Sequence, residues 1–312
     1  MSERIVVGID VSKDHLDLGC WPEGPSEQYE NSDAGIEKMI ADIQPLAPEL
    51  IVLEATGGYQ NLAASTLDAH GLPVVVVNPR HARDFAKSTG QLAKTDKLDA
   101  RGLAHFGYAT KPEIRPLPDA DHQRLQGLVA HRLQLVEMRV AELNRQQQTT
   151  CELVSQSIAA LLRYLNEEID RFEQEIKSMI EHSDIWRAQI RLLRTAKGVG
   201  PVLAFSLVAN LPELGRLNEK EIAKLVGVAP LNCDSGKSRG KRKTWGGRAT
   251  VRCALYLPTV SAMSWNPPIR EMHDRLVAKG KPGMVVVVAC MRKLLIVLNA
   301  MMRDQRSWQP NC

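Results

Sequence analysis

Short apolar runs alternate with amphipathic segments along the first part of the chain. Two segments between the runs predict helices, one capped by Asp33 and one that ends at Gly71. A further helix is predicted to begin near Thr95. Five short segments bounded by turn residues predict strands: Ile5–Val11, Leu16–Cys20, Glu27–Asn31, Leu50–Leu53 and Val74–Val77. The order β-β-β-α-β-α-β-α predicts a mixed α/β sheet with helices on its faces.

The middle of the chain has a long helical periodicity. No Gly or Pro occurs from Leu128 to Lys197, and apolar residues recur in alternating steps of three and four on both sides of a polar break at 146–150. This spacing is typical of a coiled coil. We therefore predict two long helices, continuous or folded into a hairpin, that hold subunits of a homo-oligomer together. Core helices of one bundle are the alternative.

The last part of the chain combines short predicted helices with many glycines. With a proline-rich linker at Pro112–Pro118, these changes predict three domains, 1–112, 113–190 and 191–312. The apolar stretch Met284–Met302 has the length of a membrane span. Arg292 and Lys293 lie at its centre, where each would cost about 2.5–3.5 kcal/mol at a bilayer midplane. We expect a buried helix in a soluble, mostly α-helical domain and no membrane partner.

The net charge of +4 conceals a strong asymmetry. Residues 1–110 carry a balance of −7, residues 111–190 of −3 and residues 191–312 of +14. The basic end favours a polyanion, and nucleic acid is the better interpretation than a solvated basic face. The six cysteines form no C-x-x-C pair, which argues against a zinc ribbon or a disulfide framework and fits a reducing cytoplasm.

Four carboxylates of the first domain lie at positions that the predicted fold would bring together. Asp10 interrupts the first strand pattern, Glu54 follows the strand Ile51–Leu53, and Asp96 and Asp99 are spaced to share one helix face. Because ligands gather at the carboxyl ends of strands in open α/β sheets, we predict a metal site there. Oxygen ligands select Mg²⁺, with Mn²⁺ as a substitute.

Three of the four acids also have a simpler interpretation. Asp99 can pair with Lys97 or Arg101, Asp96 can be a favourable charge at a helix start, and Glu54 can cap a helix. Asp10 in an apolar strand is hard to explain without a ligand. Asp14 and Asp17 compete for the role of Asp10, but they are predicted to lie in or after the turn.

A basic, glycine-rich segment predicts contact with a nucleic-acid backbone. Trp245 offers a stacking surface for a base. Lys197 precedes Gly198-Val199-Gly200-Pro201, which opens a helix and predicts a phosphate-binding turn. The seven predicted cationic contacts are Lys237, Arg239, Lys241, Arg242, Lys243, Arg248 and Arg252.

Ser235 lies in the sequence Asp-Ser-Gly on a predicted loop that enters this basic segment. A serine between Asp and Gly is usually turn chemistry, and the spacing alone does not make it a nucleophile. Ser238 and Thr244 are equally reachable hydroxyl groups.

The motifs together resemble those of the transposases of the bacterial insertion sequence 110 family. The match spans nearly the whole chain in the expected order. It rests on Val7-Gly8-Ile9-Asp10-Val11-Ser12-Lys13, Leu53-Glu54-Ala55-Thr56-Gly57-Gly58-Tyr59, Lys94-Thr95-Asp96-Lys97-Leu98-Asp99-Ala100, Gly198-Val199-Gly200-Pro201, Val228-Ala229-Pro230, Asp234-Ser235-Gly236 and Gly240-Lys241-Arg242.

The resemblance implies an RNase H-like, RuvC-like N-terminal domain whose magnesium tetrad is Asp10, Glu54, Asp96 and Asp99. It implies that Ser235 attacks a DNA phosphate and forms a covalent phosphoserine. It also implies a composite active site that pairs the two domains across subunits of a tetramer. A structured noncoding RNA from the element would guide pairing with donor and target DNA.

Three other functions compete with a serine recombinase. A Holliday-junction endonuclease would use water in place of Ser235. A sugar-kinase or actin-like ATPase is suggested by Gly8-Ile9-Asp10, but it lacks a second phosphate turn and leaves the basic end unexplained. A non-catalytic DNA-binding protein would require the four acids to be accidental.

Overall fold

The computed structural model describes residues 4–90, 96–231, 234–235, 238–240 and 242–309. The side chains of residues 96–98, 234–235 and 238–239 are not part of that description, and the predicted contacts Lys237 and Lys241 lie outside it altogether. The chain forms two compact units, Met1–Pro118 and Asp119–Cys312. The division into three domains stays a prediction.

A five-stranded mixed sheet organises the first unit, as the sequence predicts. Its order is β3-β2-β1-β4-β5, with β1–β2 and β2–β3 antiparallel and β1–β4 and β4–β5 parallel. The strands are β1 (Val6–Val11), β2 (His15–Trp21), β3 (Glu27–Glu30), β4 (Leu50–Glu54) and β5 (Val74–Val77).

The described part of this unit has four α-helices beside the sheet: α1 (Asp33–Ile43), α2 (Gln60–Ala69), α3 (Pro79–Ser88) and α4 (Asp96–Thr110). A 3-10 turn, Gln44–Leu46, follows α1. The prediction that Asp33 caps α1 is wrong by one residue. The Ser32 hydroxyl is the cap, because it accepts a hydrogen bond from the Gly35 amide, and Asp33 is the first helical residue.

The two faces of the sheet carry separate apolar clusters. On one face Ile9 and Leu53 pack with α1 and α2, including Ile36 and Leu67. On the other face Val6 and Val52 pack with residues of α4. Side chains alternate between faces along a strand, so the residues that flank Ile9 and Leu53 belong to the α4 side.

Two long helices open the second unit, α5 (Ala120–Gln148) and α6 (Glu152–His182). They fold into an antiparallel hairpin, since Arg124 bonds Glu175 and Arg139 bonds Asn166. The predicted break is confirmed, and of the two arrangements left open the hairpin is the one observed. Its coiled-coil character stays a prediction.

The remaining helices build one large core, and two short strands lie among them in the sequence. Leu125, Val129 and Ile176 at the base of the hairpin belong to the same core, so the bundle interpretation holds for that part. The elements are α7 (Asp184–Arg194), α8 (Pro201–Asn210), α9 (Glu219–Val226), β6 (Asp234–Ser235), β7 (Ser238–Arg239), α10 (Ala249–Trp265), α11 (Pro267–Ala278) and α12 (Gly283–Asp304).

Helix α12 is the segment with membrane-span length. Among the described residues it alone is long and apolar enough to cross a bilayer, and half of its apolar window is buried in the protein. Cys290, Leu294 and Leu298 are fully buried in the core of the second unit. The predicted buried core helix is therefore confirmed.

Candidate functional site

Two of the predicted acids end neighbouring parallel strands. Asp10 lies near the end of β1 and Glu54 is the last residue of β4, and the strand register pairs the preceding residues, Ile9 and Leu53. Because Ile9 and Leu53 face the α1–α2 side, Asp10 and Glu54 face the α4 side. Both acids are half-buried. The sequence thus placed this pair correctly, at the carboxyl edge of the sheet.

Helix α4 lies directly on β1 and runs antiparallel to it. A Cβ atom at Gly8 would lie 2.1 Å from the carbonyl oxygen of Ala100 and 2.4 Å from the amide nitrogen of Ala104. A Cβ atom at Gly107 would lie 3.0 Å from a methyl group of Val6, at the start of the strand. The helix therefore approaches the strand end with its own first turn, and glycine at position 8 allows the contact.

That first turn carries the other two predicted acids. Asp10 lies two residues beyond Gly8, about 7 Å along the strand. The helix rises about 1.5 Å per residue, so residues 96–99 reach the level of Asp10. Asp96 is the first residue of α4, as expected for a helix-start charge, and Asp99 is half-buried one turn on.

The described side chains do not by themselves form a metal cluster. Within the part of the chain that the structure describes, no three His, Cys, Asp or Glu side chains come close enough to hold one ion. The Asp96 side chain lies outside that part. Asp10 and Glu54 thus lie at one edge of the sheet, and the start of α4 lies level with them. A cluster of all four carboxylates stays a prediction.

The loop after Glu54 rules out one alternative for that residue. Helix α2 begins at Gln60, six residues later, so Glu54 does not cap it. The Gln60 side-chain oxygen instead accepts hydrogen bonds from the Thr56 and Gly58 amides, at 2.8 and 3.1 Å. Gly57 and Gly58 take positive φ angles of 60° and 104°, which the tight loop requires.

Sequence reasoning underrated a fifth acid on the same face. Asp17 lies after the turn, as predicted, but within β2 and directly opposite Asp10, and only 6% of the residue is exposed. Its carboxylate accepts a hydrogen bond of 3.0 Å from the Gln28 side chain. The available signal was the alternation Leu16-Asp17-Leu18, which puts Asp17 on the opposite face from the core residues.

Ser235 lies on a short β-hairpin, and the predicted loop is wrong at this point. Strand β6 pairs Ser235 with Ser238 and Asp234 with Arg239 in β7. The Leu231 amide donates to the Lys243 carbonyl at 3.0 Å, which closes the base of the hairpin. The backbone therefore presents Ser235 within the basic segment.

Two of the predicted DNA contacts are engaged with the protein itself. The Arg248 guanidinium donates to both carboxylate oxygens of Glu213 at 2.6 Å and to the Asn210 carbonyl at 2.9 Å. Arg252 donates to the Gly246 carbonyl at 2.6 Å and to the Val226 carbonyl at 3.2 Å. These contacts hold the segment on the end of α8, the loop after it and the end of α9, and they give both arginines a structural role that the sequence did not reveal.

The glycine turn before α8 is part of the core as well as the surface. Gly198 has a φ of 95° and packs so closely on α10 that a Cβ atom would lie 2.8 Å from the Ala262 Cβ atom. Gly200 is the exposed N-cap of α8. The Lys197 amine lies 5.7 Å from the centre of the Trp308 ring, and the Trp308 amide donates to the Thr195 hydroxyl.

Other predicted contacts remain on the surface. Arg242, Lys243 and Trp245 are exposed, and 56% of Trp245 is accessible. The backbone of Arg239 is paired in β7. These residues keep the predicted basic surface even without Arg248 and Arg252.

Known proteins match nearly the whole length of the chain. Residues 7–152 match a family model described as a transposase, and residues 190–274 match a second one described as the transposase IS116/IS110/IS902 family. Pilin gene-inverting proteins of Moraxella bovis and Moraxella lacunata are each 28% identical over 315 residues, which cover 97% of this chain and of each relative. An uncharacterized 44.8 kDa protein of insertion element IS116 from Streptomyces clavuligerus is 28% identical over 198 residues, 63% of this chain and 47% of that protein.

An acidic sheet edge, a basic second unit and these matches define a transposase, an enzyme that cuts and rejoins DNA. The chain belongs to the insertion sequence 110 family of transposases. DNA is accordingly its substrate, and the family resemblance of the sequence motifs is confirmed.

Proposed function

We propose that the chain recombines DNA at specific sites through a phosphoserine at Ser235, with an acidic tetrad holding Mg²⁺. The observation that carries the proposal is the position of Asp10 and Glu54 at the ends of adjacent parallel strands, level with the first turn of α4. The mixed sheet with acids at its carboxyl edge supports an RNase H-like, RuvC-like unit.

The donor set fits a hard divalent cation. Asp10, Glu54, Asp96 and Asp99 would supply only oxygen atoms, which Mg²⁺ prefers and Mn²⁺ accepts. Such an ion, when bound, polarises a phosphate and neutralises charge that develops on its oxygens. The opposing pair of Asp10 and Asp17 adds to the negative charge that a cation would offset.

The serine chemistry conserves the phosphodiester bond energy. The Ser235 Oγ atom forms a bond to phosphorus while one phosphorus–oxygen bond of the DNA backbone breaks. The serine proton leaves to solvent, and the released strand ends in a hydroxyl group. A hydroxyl group of the partner strand then attacks the phosphoserine, restores the phosphodiester and frees the serine, so no ATP is required.

The partners we propose are donor and target DNA, a structured RNA encoded by the element, and further copies of the chain. The excess of fourteen positive charges over residues 191–312 supports nucleic-acid binding. Exposed apolar side chains of α5, Met138, Val140 and Leu143, support self-association as a dimer or tetramer. The names of the Moraxella relatives support inversion of a DNA segment as one outcome. We place the activity in the bacterial cytoplasm, at the nucleoid.

Incubation of the protein with element-end DNA, the flanking RNA and Mg²⁺ tests the serine. Wild type and Ser238→Ala should give a protein–DNA band that resists denaturation, whereas Ser235→Ala and Asp10→Ala should not. Ser238 is the matched control because it is paired with Ser235 in the same hairpin. If Ser235→Ala still cuts DNA, the junction-endonuclease alternative with a water nucleophile is correct. Omission of the RNA should abolish site-specific cutting.

Mixing the two inactive variants tests the composite site. If one subunit supplies the acids and another the serine, a mixed oligomer of Asp10→Ala and Ser235→Ala contains sites with both groups intact. The mixture of the two variants should therefore regain strand transfer, although each variant alone is inactive. If every active site belonged to one subunit, the mixture would stay as inactive as each variant alone.

A further inference from the structure

We propose that Asn31 is a positioning residue for the acidic site, because it ties the turn after Asp10 to the loop after Glu54. The inference rests on the proposed function of those two acids. Asn31 follows β3 directly, at the side of the sheet where β1 and β4 end. Nothing in the sequence pattern marks it, since an asparagine after a strand is ordinary turn chemistry.

Three hydrogen bonds form the tie. The Asn31 side-chain amide nitrogen donates to the Ser12 carbonyl at 2.9 Å and to the Tyr59 carbonyl at 3.2 Å. The Asn31 backbone amide donates to the Asp14 carbonyl at 3.0 Å. Ser12 is two residues after Asp10, and Tyr59 is five residues after Glu54. One side chain thus holds both segments that follow the acids.

Each of the two segments is also closed on itself, so the tie joins two defined pieces. In the β1–β2 turn the Ser12 amide and hydroxyl both donate to the His15 carbonyl at 2.9 Å. In the second loop the Tyr59 amide donates to the Thr56 carbonyl at 3.0 Å. Because neither piece can deform freely, fixing Ser12 to Tyr59 fixes the spacing of the strand ends that carry the acids.

The orientation of the Asn31 amide follows from chemistry. Both of its contacts are carbonyl oxygens, so a flipped amide would set its own oxygen against them. In the observed orientation the Oδ1 atom is buried and has no hydrogen-bond partner among the described residues. A buried acceptor without a partner costs stability, which is tolerated here together with the two donated bonds.

The test compares Asn31→Ala and Asn31→Leu with the matched control Ser32→Ala. Leucine keeps the branched arrangement of four side-chain heavy atoms and removes the hydrogen-bond donors. Ser32 is the adjacent residue, and its hydroxyl caps α1 by accepting a hydrogen bond from the Gly35 amide, which is not part of the tie. The full-length protein is assayed for cleavage of element-end DNA, for Mn²⁺ binding by electron paramagnetic resonance, for DNA binding without divalent ions and for melting temperature.

We expect both Asn31 variants to cut about 10–100-fold more slowly than wild type, because misplacement of reacting groups by an ångström has effects of this size. Mn²⁺ binding should weaken several-fold, and DNA binding should not change. The Asn31 variants and Ser32→Ala should lower the melting temperature to a similar degree. Ser32→Ala should nevertheless leave cleavage and Mn²⁺ binding at the wild-type level.

Two outcomes separate the inference from the function on which it rests. If the Asn31 variants cut and bind Mn²⁺ like Ser32→Ala while Asp10→Ala is inactive, the positioning role is wrong and the proposed function stands. If Asp10→Ala itself cuts normally, the acidic site is wrong, and the role of Asn31 is lost with it.

Discussion

At the scale of single residues, two glycines decide where α4 lies on the sheet. Gly8 of β1 meets the backbone of Ala100 and Ala104, and a Cβ atom at Gly19 of β2 would lie 2.7 Å from the Arg101 amide nitrogen. Backbone atoms cannot yield as the end of a flexible side chain can. The helix that brings Asp99 towards Asp10 therefore depends on positions that carry no chemistry themselves.

Replacement of Gly8 by alanine should displace α4. We expect the added methyl group to lower the free energy of unfolding by about 1–3 kcal/mol, as overpacking does, and to reduce DNA cleavage strongly. Thermal melting and a cleavage assay measure the two effects. Gly127→Ala is the control: it lies exposed in α5, where a Cβ atom would meet no described atom within 4 Å, and it should add up to about 1 kcal/mol of stability. Normal cleavage by Gly8→Ala would contradict the dependence on α4.

Residue roles were predictable from the sequence where they depend on position in a strand alone. Asp10 and Glu54 follow from strand ends in an α/β pattern. The burial of Asp17, the link made by Asn31 and the ion pair of Arg248 depend on partners 11, 28 and 35 residues away. Periodicity and composition carry no information on such contacts.

At the scale of elements, the basic segment divides into residues that build it and residues that are free to face a ligand. The bond of Arg248 to Glu213 and that of Arg252 to Gly246 anchor it, while Arg242 and Lys243 are exposed. A count of positive charges in the sequence treats all of these alike. The hairpin that holds Ser235 was also missed, because its two strands contain only two residues each.

The salt dependence of DNA binding should separate the two kinds of cation. Lys243→Ala should reduce the slope of log affinity against log salt by about 0.9, the value for one phosphate contact. Arg248→Ala should leave the slope unchanged and instead lower the free energy of unfolding by about 1–3 kcal/mol, because the largely buried Glu213 carboxylate loses both hydrogen bonds from Arg248. If the slope of log affinity against log salt decreased equally in the two variants, Arg248 would contact DNA as Lys243 does.

For the two long helices, the sequence pattern predicts the elements themselves but not how they are arranged. The apolar spacing predicted both long helices and the break between them. It left the choice between a continuous rod and a hairpin open, because the connection at 149–151 contains no Gly or Pro to mark a reversal. Contacts such as Arg132–Glu173, which link the two helices across 41 residues, make that choice.

At the scale of the whole molecule, each unit has its own core and a buried cysteine reports on each. Cys20 lies in the core of the first unit and Cys290 in that of the second. Burial raises the pKa of both thiols, so a smaller fraction is thiolate at a given pH. Cys151 and Cys253 are exposed.

Alkylation with iodoacetamide at pH 8, read by peptide mass spectrometry, should follow this division. Cys151 and Cys253 should react quickly in the native protein, because the reactive thiolate is accessible. Cys20 and Cys290 should stay protected until denaturant unfolds their respective units. Rapid labelling of Cys20 in the native protein would show that the inner face of β2 is not buried.

The contact of Trp308 with Lys197 and Thr195 matters for anyone who shortens this protein. A variant that stops before Trp308 would lose the ring beside the Lys197 ammonium group and the amide that bonds the Thr195 hydroxyl, in the turn before α8 where phosphate binding is expected. Such a truncation would change the ligand-facing surface itself. A change in DNA affinity after truncation would therefore reflect the altered turn before α8. A C-terminal tag is better attached through a spacer after Trp308 than in place of the residues around it.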